Sequence, residues 1–122
     1  PYVKQIQESC SLVAARLDHP SWSIAYQSRS GNPREAWLEP DIFKVLQSVA
    51  AEGAAEVIAA PIGFVSDHVE VLYDLDIEGR QTAEKLGLKF LRASAPNDHP
   101  TFVRMMADVI EATLSGKSPI AQ

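Results

Sequence analysis

Apolar residues return at steps of three and four through Val3, Ile6, Cys10, Val13 and Leu17. That stripe predicts an amphipathic helix, stopped at His19-Pro20. Ser23 to Gln27, "SIAYQ", is a short strand candidate. "SRSGNPREAWLEPD" follows as a long polar loop with an apolar island at Trp37-Leu38. A second helical stripe runs through Ile42, Val45, Leu46 and Val49, with Pro40 suited to its first turn and Gly53 near its end. "EVIAAPIGFV", Glu56 to Val65, is an apolar run of strand length, as expected of a parallel strand buried on both faces. Ser66 is placed to cap the next helix, which continues to Leu86 and ends at Gly87. "LKFLRA" predicts a further strand. A last helix, capped by Asn97 or Asp98, would turn Val103, Met106, Val109 and Ile110 inward, and "SGKSPIAQ" reads as a frayed tail.

The predicted order is α-β-α-β-α-β-α. Alternation at this spacing implies an α/β fold with a parallel sheet flanked by helices. Ligands of such sheets sit beyond the carboxyl ends of the strands. The loop after Gln27 and the turn from Pro61 to Ser66 both fall at that edge.

Bulk properties narrow the function. A chain of 122 residues, 46% hydrophobic and 22% charged, suffices for one domain with a core. A net charge of −5 argues against nucleic acid as a partner, because phosphate binding needs clustered Lys and Arg. No apolar run approaches the ~20 residues of a membrane span, and no signal-peptide pattern is present. Cys10 is the single cysteine, which excludes an internal disulfide and an all-cysteine metal site; a reducing, cytoplasmic setting fits. The chain begins with Pro1 rather than Met and runs straight into a helical pattern, so a piece of something longer is expected.

The sharpest chemical signal is "FVSDHVEVLYDLDIEGR". It gathers Asp67, Glu70, Asp74, Asp76 and Glu78, with no Lys or Arg until Arg80. Asp67, Glu70, Asp74 and Glu78 form one helical stripe climbing roughly 16 Å, at 1.5 Å per residue. Val69, Leu72 and Leu75 form the apolar stripe expected to face the core. The helix dipole favours acids in the first turn, but Asp74 and Glu78 gain nothing from it. Each like-charge pair four residues apart costs on the order of 0.2–0.5 kcal/mol. A solvated acidic face accounts for the pattern; so does a carboxylate track for a divalent cation, with His68 beside its top. Trp37 is either a stacking surface at the ligand edge or a loop anchor. Arg29 and Arg34 either meet ligand carboxylates or are solvated. His19 and His99 stand at helix ends, and Cys10 lies on an apolar stripe where burial would leave it inert.

Three segments resemble one family. "PIGFVSDHVEVLYDLDIE" closely resembles the signature of ferrochelatases, which insert Fe²⁺ into a porphyrin in haem synthesis. "AYQSRSGNPREAWLEPDI" resembles the family's QS…WL.P. motif, and "LRASAPNDHPTFVRMMADVI" its closing helix. The resemblance covers nearly the whole chain, with the motifs in the family's order. It implies a chelatase-like fold of two similar Rossmann-like halves clasping the macrocycle, residues 1–122 being the C-terminal one. The family's first half ends in an "HS.P" motif whose His is central to the site; that motif would lie upstream of Pro1.

The resemblance implies roles for single residues. Glu70 matches the active-site glutamate, and Asp74 and Glu78 match acids on a helix leading to it, read as a path for metal or protons. Asp67 and His68 match the "DH" before the glutamate, His68 near the chemistry and Asp67 in a supporting role. Trp37 matches the motif tryptophan at the cleft edge, and Gln27 and Ser28 match the "QS" pair. The substrates implied are Fe²⁺ and a porphyrin, protoporphyrin IX or coproporphyrin III. No permanently bound cofactor is implied, and no cysteine follows Ile110 to hold the iron–sulfur cluster of some members, which suggests the bacterial type. The missing N-terminal half is the expected partner, and any membrane contact would run through it. The alternatives are a cobaltochelatase of the corrin pathway, which relies more on paired histidines, and a non-catalytic tetrapyrrole- or metal-binding α/β module. The C-terminal half alone is expected to be inactive.

Overall fold

The computed structural model describes residues 1–27 and 38–117. Helix α1 spans Tyr2–Arg16 and buries no residue, although Ile6 and Cys10 on its expected stripe are half-buried. It ends as predicted just before His19-Pro20, with Asp18 in the left-handed region at φ 51°. Its first turns meet the loop at Gly63, where a Cβ would stand 3.4 Å from Tyr2 Oη.

The strand expected at Ser23 to Gln27 does not form. Tyr26 makes one isolated parallel bridge to Asp41. The Tyr26 N–H donates to the Pro40 carbonyl at 2.8 Å, and the Ile42 N–H donates to the Tyr26 carbonyl at 3.0 Å. The reason is local: the partner backbone turns helical at Ile42, so the ladder stops after one rung. Helix α2, Ile42–Ala51, is capped by Asp41, whose side chain accepts from the Lys44 N–H at 2.8 Å. Pro40 therefore precedes the cap instead of lying in the first turn. Gly53, at φ 90°, turns the chain after the helix.

Strands β1, Glu56–Ala59, and β2, Lys89–Arg92, pair in parallel, with Val57 opposite Phe90 and Ala59 opposite Arg92. Val57, Ala59 and Phe90 share one face of this two-stranded sheet, and on it lies the core: Leu46 of α2, Ala83, Leu88 and Phe90, flanked by Ile42 and Val49. Among the described residues the opposite face is open, so the expected burial on both faces is not met within them. Ile58 is 69% exposed, Leu91 beside it is exposed, and Glu56 and Lys89 pair at 2.9 Å. The strand is also shorter than the apolar run. The chain turns at Ala60-Pro61, where proline has no N–H to offer a ladder and the Ile62 N–H returns to the Ala60 carbonyl at 2.8 Å.

The long helix after this turn is continuous but not uniform. It comprises α3, Val69–Val71, a π-helical segment, Leu72–Gly79, and α4, Arg80–Lys85. Its N-cap residue is His68, not Ser66, so Asp67 lies outside the first turn. Gly87, at φ 75°, ends it as predicted. The buried stripe is Val71, Leu75, Gly79 and Ala83. Of the expected apolar stripe only Leu75 is buried; Val69 is 80% exposed and Leu72 is exposed. The expectation assumed 3.6 residues per turn, whereas i→i+5 hydrogen bonding widens the turn and shifts which positions face inward.

Helix α5, Pro100–Leu114, is capped by His99, not by Asn97 or Asp98. The His99 Nδ1 accepts from the Thr101 N–H at 3.3 Å, and Pro100 occupies the first helical position. The helix buries no residue: Val103, Met106, Val109 and Ile110, expected inside, are all exposed. Among the described residues no helix is long and apolar enough to cross a membrane.

Candidate functional site

The carboxyl end of β2 is tied to the turn before the long helix, and the acidic residues run from that turn along the helix. The turn after β1 delivers Phe64, whose ring stands edge-on to that of His68 with centroids 4.5 Å apart. His68 is extended (φ −135°), and its carbonyl accepts from the Leu72 N–H at 3.0 Å. Glu70 follows in the first helical turn, exposed, where unpaired backbone N–H groups favour a carboxylate. Asp74 and Glu78 lie half-buried on the π segment.

The five acids fall into two sets. Asp67 and Asp76 are tied to the sheet through Arg92, the last residue of β2. Arg92 Nη1 donates to Asp67 Oδ1 at 2.8 Å, and Arg92 Nε donates to Asp76 Oδ1 at 2.5 Å. Asp67 also accepts from Asn97 Nδ2 at 3.0 Å and from the Ala95 N–H at 3.4 Å. Its own N–H donates to Asn97 Oδ1 at 2.8 Å. Hydrogen bonding from Asn97, and then from Ala95 and Arg92, holds the Asp67 carboxyl below its ordinary range. The same contacts, that with Asp76 first, hold Arg92 more firmly protonated. Arg80 adds a tie from within the helix: its Nε donates to the Asp76 carbonyl at 3.3 Å and its Nη1 to the Phe90 carbonyl at 3.2 Å.

Glu70, Asp74 and Glu78 form the other set. The carboxylates of Glu70 and Glu78 make no hydrogen bond or ion pair among the described residues. Among those residues no three His, Cys, Asp or Glu side chains converge on a point that could hold a metal ion. The three acids follow one another along the helix at steps of four.

Gln27 is half-buried, and its Nε2 is buried without a hydrogen-bond partner among the described residues. Ser28, Arg29, Arg34 and Trp37 lie outside the described residues. Cys10 is half-buried, and burial pushes its thiol pKa up, away from the reactive thiolate.

Sequence reasoning counted Asp76 among the acids and Asn97 as a helix cap, but gave neither of them, nor Arg92, a place in the site. For Arg92 a signal existed: a cation closing the strand candidate "LKFLRA" falls at the carboxyl edge where ligands gather. Asn97 sits at φ 49°, a conformation that Asn tolerates better than most residues.

The family described as Ferrochelatase matches residues 1–114. The chain is 44% identical over 118 residues to coproporphyrin III ferrochelatase of Mycobacterium avium, covering 97% of this chain and 35% of the relative. It is 45% identical over 114 residues to ferrochelatase of Rhodopirellula baltica, covering 93% and 32%. It is 50% identical over 98 residues to coproporphyrin III ferrochelatase of Propionibacterium freudenreichii, covering 80% and 28%. The chain thus spans about a third of the length of the curated relatives it matches.

Proposed function

The chain belongs to the ferrochelatase family, and we propose that it is the C-terminal part of an enzyme inserting Fe²⁺ into a porphyrin during haem biosynthesis. The observation that carries this proposal is the line of Glu70, Asp74 and Glu78, rising from the carboxyl edge of a parallel sheet and separate from the acids held by Arg92.

Insertion must remove two protons from pyrrole nitrogens, so a base has to stand near the macrocycle centre. We assign that work to Glu70, with His68 beside it; the exposure of Glu70 at the helix start supports the assignment. Asp74 and Glu78 would pass the metal, or the released protons, along the helix. Carboxylates bind Fe²⁺ without the grip of thiolates, which suits an ion that has to be released into the porphyrin. Asp67 supports the turn that presents His68. Gln27 is assigned to the porphyrin edge, with Ser28 and Trp37, and its unpartnered Nε2 supports this. Fe²⁺ is then a substrate in transit, and neither a resident cofactor nor an iron–sulfur cluster is required.

Two of the three relatives above are named for coproporphyrin III, which supports that porphyrin as substrate. The remaining two-thirds of such an enzyme would supply the other wall of the cleft, and the open apolar surfaces of β1, β2 and α5 support an extensive partner of this kind. The 122 residues alone would then insert no metal, and any membrane contact would be made by the rest of the enzyme. The single cysteine supports a reducing, cytoplasmic setting.

The test follows porphyrin absorbance with Fe²⁺ under anaerobic conditions in the full-length protein, with coproporphyrin III and protoporphyrin IX in turn. Wild type is expected to insert iron, and Glu70→Gln to lose at least 100-fold in kcat, in line with loss of a general base. Porphyrin binding without insertion in wild type would replace the enzyme with a carrier.

A further inference from the structure

The two sets of acids pose a question that the chelatase reading leaves open: why a helix that collects carboxylates also gives two of them to one arginine. Arg92 leaves the carboxyl end of β2 and reaches both a residue before the long helix, Asp67, and a residue within its π segment, Asp76. Its side chain is 12% exposed and that of Asp67 21%, so water competes poorly for the contact. Between the two anchor points lie His68, Glu70 and Asp74. The segment with the proposed chemistry is therefore held at both ends by one guanidinium rooted in the sheet.

We propose that Arg92 is a positioning residue for metal insertion: by holding Asp67 and Asp76 together it sets where His68, Glu70 and Asp74 stand. The proposal rests on the chelatase reading for its consequence, though not for its geometry. The planar guanidinium suits the task because it presents several donors in a rigid fork, here Nη1 to one carboxylate and Nε to the other. A lysine ammonium keeps the charge but is a point donor on a flexible stem, and cannot fix two carboxylates in one geometry. Arg92 also offsets the negative charge of the two acids not on the cation line, which lowers repulsion along a helix turn lacking other cations before Arg80. The π segment gives the clamp a further purpose. Such segments are rare inside α-helices and are frequent at functional sites, where their geometry has to be kept. Arg92 to Asp76 and Arg80 to the Asp76 carbonyl are two contacts that hold it at one residue.

The test uses the full-length protein with Arg92→Lys and Arg92→Gln, each checked for native secondary structure and a cooperative melt. Two quantities are read: amide hydrogen exchange across residues 67–79, and kcat and KM for Fe²⁺ and for coproporphyrin III. Exchange is expected to speed up at least tenfold in Arg92→Gln. In the same variant kcat/KM for Fe²⁺ should fall at least tenfold while the porphyrin KM stays within twofold, and Arg92→Lys should recover only part of the loss. If Arg92→Gln does not fold, Arg92→Lys carries the same comparison alone. Exchange within twofold of wild type overturns the clamp. Faster exchange with unchanged kinetics also overturns the proposal, because Arg92 would then be merely structural. A wild type that inserts no metal overturns the chelatase reading and, with it, the catalytic consequence; faster exchange in the variants would still uphold the clamp.

Discussion

Gly79 sits against the ring of Phe90: a Cβ there would stand 3.5 Å from Phe90 Cζ and 3.1 Å from the carbonyl oxygen of Asp74. One residue thus meets both the sheet and the backbone of the π segment that it closes. A branched side chain has no room on either side. Gly79→Val is expected to cost about 1–3 kcal/mol by overpacking, read as a lower denaturant midpoint. An unchanged midpoint would mean that the ring and the helix part easily, and that the close approach is incidental.

Acid should reveal Asp67. Its folded carboxyl titrates below the ordinary 3.8 because Asn97, then Ala95 and Arg92, stabilise the ionised form. A depressed folded pKa gives stabilisation that is complete above the unfolded value and lost as pH falls below 3.8 toward the folded value. The denaturant midpoint of wild type should therefore drop more steeply in that acidic window than that of Asp67→Asn. Parallel curves for the two proteins would remove Asp67 from the acid response.

The cap of α2 is a separate test of local structure. Asp41 accepts from the Lys44 N–H at 2.8 Å, satisfying one of the orphan donors of the first turn. Asp41→Ala is expected to cost about 0.5–2 kcal/mol, whereas Asp41→Ser should cost much less. Equal losses for the two would point to the negative charge at the helix start, which both substitutions remove, and not to the capping hydrogen bond as the source of the effect.

Ile58 probes the open sheet face. In the full-length protein, Ile58→Ser is expected to cost about 1.5–3 kcal/mol, the worth of a buried aliphatic side chain, because the rest of the enzyme would cover it. A change within about 0.5 kcal/mol, ordinary for surface substitutions, would show that this face stays in water.

Much of this was legible from local pattern. Gly87 ends the long helix because few other residues accept its φ of 75°. Glu70 stands in a first helical turn, as its spacing from the preceding loop suggested. The parallel pairing of β1 with β2 followed from two apolar segments separated by a helix. What escaped depends on partners distant in sequence, or on a turn width that no short pattern states. Arg92 and Asp67 are 25 residues apart, and nothing local to either announces the other. The apolar run through Ile58 indicated a strand but not what would lie on each face. The rotated stripe of the long helix, with Leu75 inside and Leu72 outside, appears only once the turn is known to be wide.

That wide turn has a geometric consequence. On a regular α-helix each step of four residues overshoots a 3.6-residue turn by about 40°, so a row of side chains at such steps winds round the axis like the thread of a screw. A turn closed by i→i+5 bonds takes more residues, and a step of four no longer overshoots. Asp74 and Glu78 both lie on the segment from Leu72 to Gly79, so the step between them turns back against the winding begun at Glu70, and the row of carboxylates climbs less like the thread of a screw and more like a ladder with a slight lean.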